Sequence, residues 1–156
     1  MKQAAQTLLR RGAVLAAGLV LAGAAAAQTV GTTVRISTDK GPIDIQLYDS
    51  AAPATVTNFL NYVRRGAYDG VFFHRLSLGF VLQGGGFKFS DSASPRVSAI
   101  AQDPPVVNEF SATRSNVRGT VAMAKLGGNP NSATNQWFIN LANNASNLDG
   151  QNGGFT

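Results

Sequence analysis

No cysteine occurs among the 156 residues, and there is a single histidine, His74. The chain therefore has no disulfide, no thiol nucleophile and no lipid-modified cysteine behind a leader. One histidine without cysteine also leaves a zinc site short of its usual donors, so neither a metal nor a cofactor is expected. The missing disulfides do not argue against export, because a domain of this size buries enough surface without them. There is no G-x-S-x-G nucleophile elbow. Gly84-Gly85-Gly86 lacks the flanking helix and the lysine–serine/threonine pair of the nucleotide-binding loops. Charge is scarce at 13%, with 13 basic and 8 acidic residues. Three of the basic residues, Lys2, Arg10 and Arg11, precede position 28; the remaining 10 against 8 leave only +2. That balance, with no basic cluster beyond Arg64-Arg65 at a helix end, excludes a nucleic-acid partner.

The uncharged run Gly12–Ala27 follows those first basic residues and closes on Ala25-Ala26-Ala27. This is the layout of a secretory signal peptide, and the run is short for a membrane span. The small residues at its end favour cleavage near Ala27 over a retained anchor, and the arginine pair alone does not specify a twin-arginine route. Residues 1–27 are therefore expected to be a signal peptide and residues 28–156 the mature domain. That domain is expected in the periplasm or outside the cell, with no stable membrane association after cleavage, and as a monomer.

Val34–Thr38 and Ile43–Leu47 alternate about the turn Asp39-Lys40-Gly41, which predicts a β-hairpin with one buried face. Pro53 opens a helix whose Val56, Phe59, Leu60 and Val63 share a face, and Gly66 ends it. Strands are predicted over Val71–Leu76, Phe80–Gln83, Val117–Ala124 and Gln136–Leu141. Residues 88–116 read as a long polar excursion, Lys125–Asn135 as a loop, and Ala142–Thr156 as a loop with a strand starting at Phe155. The predominance of short strands points to an antiparallel barrel or sandwich.

Within VFFHRLSLGFVLQGGGF, residues 71–87, an apolar and glycine-rich stretch carries His74, Arg75 and Gln83. A serine–histidine–aspartate triad is not excluded by count, but His74 sits between aromatics in a strand and reads as a packed core residue. Strand alternation puts Arg75 on the face opposite His74. From spacing alone, a groove arginine and a surface ion-pair arginine are equally good readings. Gln83 is an edge-strand amide by default, and Phe80, Trp137 and Phe138 are core.

Several stretches together resemble the cyclophilin-type peptidyl-prolyl cis–trans isomerases. They are Phe73-His74-Arg75, Gly79 to Phe87, Gly119 to Ala124, Asn131 to Ile139 and Asn147 to Gly150, preceded by Ala52 to Val63. They occur in matching order over nearly the whole of 34–156, and the absence of cysteine resembles the bacterial exported branch. The resemblance implies a mainly β fold, a closed eight-stranded antiparallel barrel with capping helices, and a substrate groove on its outer surface. It implies Arg75 as the catalytic arginine and Gln83 and Gln136 as groove amides. The proline pocket would be Phe80, Val81, Phe138 and Leu148 with Met123 beneath, and the backbone at Ala124 and Lys125 would pair with the substrate chain. Phe155 falls near a position where a histidine often lines the pocket, Asn147 where a tryptophan is common, and Lys125-Leu126 replaces a smaller polar pair. Without the tryptophan, cyclosporin binding is expected to be weak. Family members continue for roughly 35–40 residues beyond this point, so the C-terminal elements are expected to be missing and the chain to be a fragment. The implied function is acceleration of X–Pro rotation in unfolded or nascent exported polypeptides, without cofactor or metal. The alternative is a proline-segment-binding chaperone module without significant catalysis.

Overall fold

A computed structural model describes residues 31–92 and 94–156; the expected signal peptide lies outside the described residues. The first two strands, β1 (Thr33–Thr38) and β2 (Gly41–Gln46), form the predicted hairpin in antiparallel register, Arg35 opposite Asp44 and Ile36 opposite Ile43. Helix α1 (Pro53–Arg64) follows. Its predicted apolar face is buried at Val56, Phe59 and Leu60, but the buried set also takes in Asn58 and Tyr62. The helix stops where Gly66 turns to φ +66°, a conformation that favours glycine.

Strands β3 (Arg75–Ser77) and β4 (Val81–Gly84) come next, then β5 (Phe87–Phe89), β6 (Val97–Ala99), β7 (Val121–Met123) and β8 (Trp137–Asn140). A short helix α2 (Ala145–Leu148) and a 3₁₀ turn (Gln151–Gly153) lead to the last residues. The described strands pair as three antiparallel sheets: β1-β2, β3-β4-β8-β7 and β5-β6. The fold is mainly β with few helices, as the resemblance implied.

Several expectations are corrected. Of the predicted strand Val71–Leu76 only Arg75 and Leu76 fall in β3; Val71 makes an isolated antiparallel bridge with Lys88, and residues 72–74 are irregular. The excursion at 88–116 contains β5's last residues and β6, a small hairpin. Phe155 starts no strand, although Thr156 O accepts a bond from the Met123 amide at 2.6 Å.

Alternation along each strand presents side chains to both faces, and both faces of the four-stranded sheet carry an apolar cluster. Trp137 and Met123 point inward and pack with Phe59 of α1, Val34 and Ile36 of β1, Tyr68 and Phe73. Val81, Ala122 and Phe138 point outward, against Leu148, Phe80, Ala124 and Phe155. A cavity of about 370 Å³ lies on the inner side, lined largely by apolar groups such as Ile45, Val56, Phe59 and Ile139. Arg75 and Gln83 lie on the other face.

Candidate active site

Arg75 and Gln83 are directly opposite each other across the β3–β4 ladder. Cross-strand neighbours on one face are within side-chain reach, and Arg75 Nη1 donates to Gln83 Oε1 at 3.3 Å. Gln83 is in turn opposite Phe138 on β8. Its Nε2 donates to Gln136 Oε1 at 2.8 Å. Three polar side chains from three segments thus form one line across the outer face. Arg75 is exposed, and its guanidinium carbon stands 6.0 Å from the centre of the Phe80 ring. It is not buried, and among the described residues no carboxylate pairs with it.

Beside this line is the apolar cluster of Val81, Ala122, Phe138 and Leu148, edged by Phe80 and Phe155. Phe138 and Phe155 meet edge-on with ring centres 5.8 Å apart. The Ala124 amide is committed to Gln136 O at 2.8 Å; among the described residues nothing donates to the Ala124 carbonyl. An exposed cation, a carboxamide pair and an aromatic-walled hollow suit a ligand with an apolar ring joined to an amide.

His74 adjoins the Gln136 end of this line without forming part of it. Its ring packs edge-on against Phe87 and Phe72, with centres 4.9 and 6.4 Å away, and its amide bonds Gln83 O. Burial pushes its pKa below the ordinary histidine value, more than the favourable contacts of Gln136 and Phe72 offset. It is neutral at pH 7 and holds the strand in place.

The sequence profile of the cyclophilin type peptidyl-prolyl cis-trans isomerase/CLD family matches residues 33–156. This chain belongs to the cyclophilin-type isomerase family. A peptidyl-prolyl cis-trans isomerase of Acinetobacter baylyi is 40% identical over 137 residues, 88% of this chain and 68% of its own length. Peptidyl-prolyl cis-trans isomerase A of Dickeya dadantii is 44% identical, over 76% of this chain and 59% of its own length. Isomerase B of Escherichia coli is 43% identical, over 71% of this chain and 63% of its own length. The chain thus spans between 59% and 68% of these relatives. A crystal structure of a Cryptosporidium parvum cyclophilin type isomerase, in the presence of the dipeptide Ala-Pro, superposes with a TM-score of 0.60 at 27% identity, covering 74% of this chain and 71% of that one.

Set against the cyclophilin expectations, Arg75, Phe80, Val81, Gln83, Gln136, Phe138, Leu148 and Phe155 assemble on one face. Met123 does not lie beneath the pocket. It stands opposite Trp137 and packs inward against Phe59, because the neighbouring pair Ala122–Phe138 takes the outer face. The side chain of Lys125, on which no expectation rested, is engaged within the chain. Its Nζ donates to Asn152 O at 2.9 Å and to Gly154 O, and lies 4.5 Å from the Phe155 ring centre. Its side chain fastens the 151–155 loop, and desolvation lowers its pKa. Sequence reasoning missed Asn116, Asn140 and Asn144, buried directly behind the pocket.

Proposed function

We propose that this cyclophilin accelerates cis–trans isomerisation of X–Pro bonds in unfolded exported polypeptides, with Arg75 as the catalytic residue. The observation that carries the reading is the Arg75–Gln83–Gln136 line running along the Phe80–Phe138–Leu148 hollow. A peptide bond must lose amide resonance to rotate, a barrier of ~18–20 kcal/mol. X–Pro isomers are nearly balanced but take tens of seconds or more to exchange. As the bond twists, the prolyl nitrogen loses conjugation and gains a lone pair. A guanidinium aimed at that nitrogen bonds the twisted amide better than the planar one, which is selective stabilisation of the transition state. Such a charged hydrogen bond is worth about 1.5–3 kcal/mol, or roughly 10- to 100-fold in rate. Gln83 steadies the fork. The apolar hollow holds the ring while the preceding residue swings, and the free Ala124 carbonyl is placed to accept from the substrate chain. No proton transfer or covalent step is required.

The reading includes the family's closed eight-stranded barrel, with the β1–β2 hairpin and the four-stranded sheet as facing walls across the inner apolar layer. It also includes export: the signal-like layout of residues 1–27 supports a periplasmic, monomeric form. The decisive assay follows isomerisation of a tetrapeptide containing an Ala–Pro bond. Catalysis well above the spontaneous rate is expected. Tight peptide binding with no acceleration would instead establish a proline-binding chaperone module.

A further inference from the structure

Behind the pocket runs a set of polar side chains that isomerisation chemistry leaves unused. Asn116, Asn140 and Asn144 are 3%, 1% and 4% exposed. They are bonded in series: Asn144 Nδ2 donates to Asn140 Oδ1 at 2.8 Å, and Asn140 Nδ2 donates to Asn116 Oδ1 at 3.1 Å. Each end reaches a main-chain carbonyl. Asn144 Nδ2 donates to Phe80 O at 2.8 Å, and Asn116 Nδ2 to Phe155 O at 3.0 Å. The remaining N–H of Asn140 goes to Thr120 Oγ1 and that of Asn116 to Asp149 Oδ1, both at 2.9 Å.

All six amide hydrogens are used, and the ends dictate the direction. Main-chain carbonyls and a carboxylate accept but do not donate. Asn116 must turn its nitrogen to Asp149 and Phe155, which leaves its oxygen for Asn140; the same logic turns Asn140 and then Asn144. Flipping one amide would set like groups face to face at its junctions, and a buried unmade bond costs about 1–3 kcal/mol. The three amides therefore have one satisfied arrangement. Its two ends hold the main chains that carry the aromatic rings at the two edges of the pocket.

We propose that Asn116, Asn140 and Asn144 are positioning residues whose relay fixes the spacing of Phe80 and Phe155, and with it the grip on the prolyl ring. This rests on the isomerase reading of the site. The ring is held in planar and twisted states alike, so a slackened relay removes uniform binding: KM rises while kcat stays.

Asn140→Asp tests this at nearly constant volume. At about pH 8 a carboxylate there accepts from Asn144 but has no hydrogen for Asn116 or Thr120. Burial and the neighbouring charge of Asp149 both raise its pKa, and protonation restores one donor. The polar and charged groups around it are Asn144, Asn116 and Thr120. Beyond them are Asp149, which takes the Ser115 hydroxyl and the Asn116 amide, and Arg118, bonded to Leu141 O. In the full chain, KM for the Ala–Pro tetrapeptide should rise roughly five- to tenfold at about pH 8, the worth of one hydrogen bond, with kcat within about twofold. The gap from wild type should close to about twofold near pH 5.5. Asn144→Ala removes both the Phe80 tether and the bond to Asn140; it should raise KM at both pH values, which decides the matter if Asn140→Asp does not fold. Asn58→Ala is the stability control. That buried amide of α1 bonds Thr134 O at 2.6 Å, and its loss should lower Tm without moving KM. Unchanged KM in both relay variants, or a KM rise in Asn58→Ala matching theirs, overturns the proposal. Peptide Kd measured in parallel separates the two readings: a wild type that binds without isomerising defeats the enzyme reading, and the relay is then judged on Kd by the same criteria.

Discussion

A methyl group at Gly85 would stand 2.5 Å from Asn135 O and 2.8 Å from the Trp137 ring, on a backbone at φ +83°. Neither neighbour can yield, since one is main chain and the other is core. Gly85→Ala is therefore expected to cost more than about 2 kcal/mol, checked by urea denaturation. A cost under about 0.5 kcal/mol would show that the close approach of β4 to β8 is not required. The glycine run was visible in the sequence, but its reason was not, because the atoms it admits come from 50 residues away. Arg75 and Gln83 were named by the resemblance to the cyclophilins, while spacing alone left both open; their opposition across adjacent strands, eight residues apart, shows only in the structure. Met123 was misplaced by a single position. Side chains alternate with period two, so a strand located to within one residue leaves its faces undecided. Only the register with β8 shows that Ala122 takes the outer side.

Helix α1 was the clearest element in the sequence, yet its N-terminus depends on a residue far away. Ala52 has no side chain to cap with. The Glu109 carboxylate instead accepts from the amides of Ala54 and Thr55 at 3.1 and 2.8 Å. Partial burial opposes ionisation of Glu109, but the Thr55 and Ala54 amides outweigh it and hold the carboxyl below its ordinary range. A depressed folded-state pKa stabilises at neutral pH and loses that contribution as pH falls through about 4.3 toward the folded value. Glu109→Ala should cost about 0.5–2 kcal/mol at pH 7, as lost caps do. The difference from wild type should shrink between about pH 5 and pH 3. A pH-independent difference would contradict the capping role. Glu109 lies in the stretch read as a polar excursion, as does β6. Three-residue strands and a four-residue helix are too short for periodicity to reveal. The ties that order the excursion, such as Tyr62 Oη accepting from the Asp103 amide at 2.6 Å, span 41 residues.

At the scale of the molecule, one sheet separates two apolar layers with different tasks. The inner layer joins the sheet to α1 and the first hairpin; the outer layer walls the hollow beside Arg75 and Gln83. By default Phe80, Trp137 and Phe138 all read as core with no face assigned, and the ordered resemblance to the cyclophilins is what set Phe80 and Phe138 apart from Trp137 as pocket residues. Expressed in a Gram-negative host, the chain should reach the periplasm with Gln28 as its first residue, read by N-terminal sequencing; a protein beginning at Met1 in the cytoplasm would contradict it. The central claim is that a charged fork stabilises a half-rotated prolyl amide. Its most direct test compares Arg75→Ala with wild type on the Ala–Pro tetrapeptide, measuring kcat and peptide Kd together. A fall in kcat of roughly 10- to 100-fold, with Kd within about twofold, is predicted. An unchanged kcat, or a loss of binding that accounts for the whole effect, would contradict it.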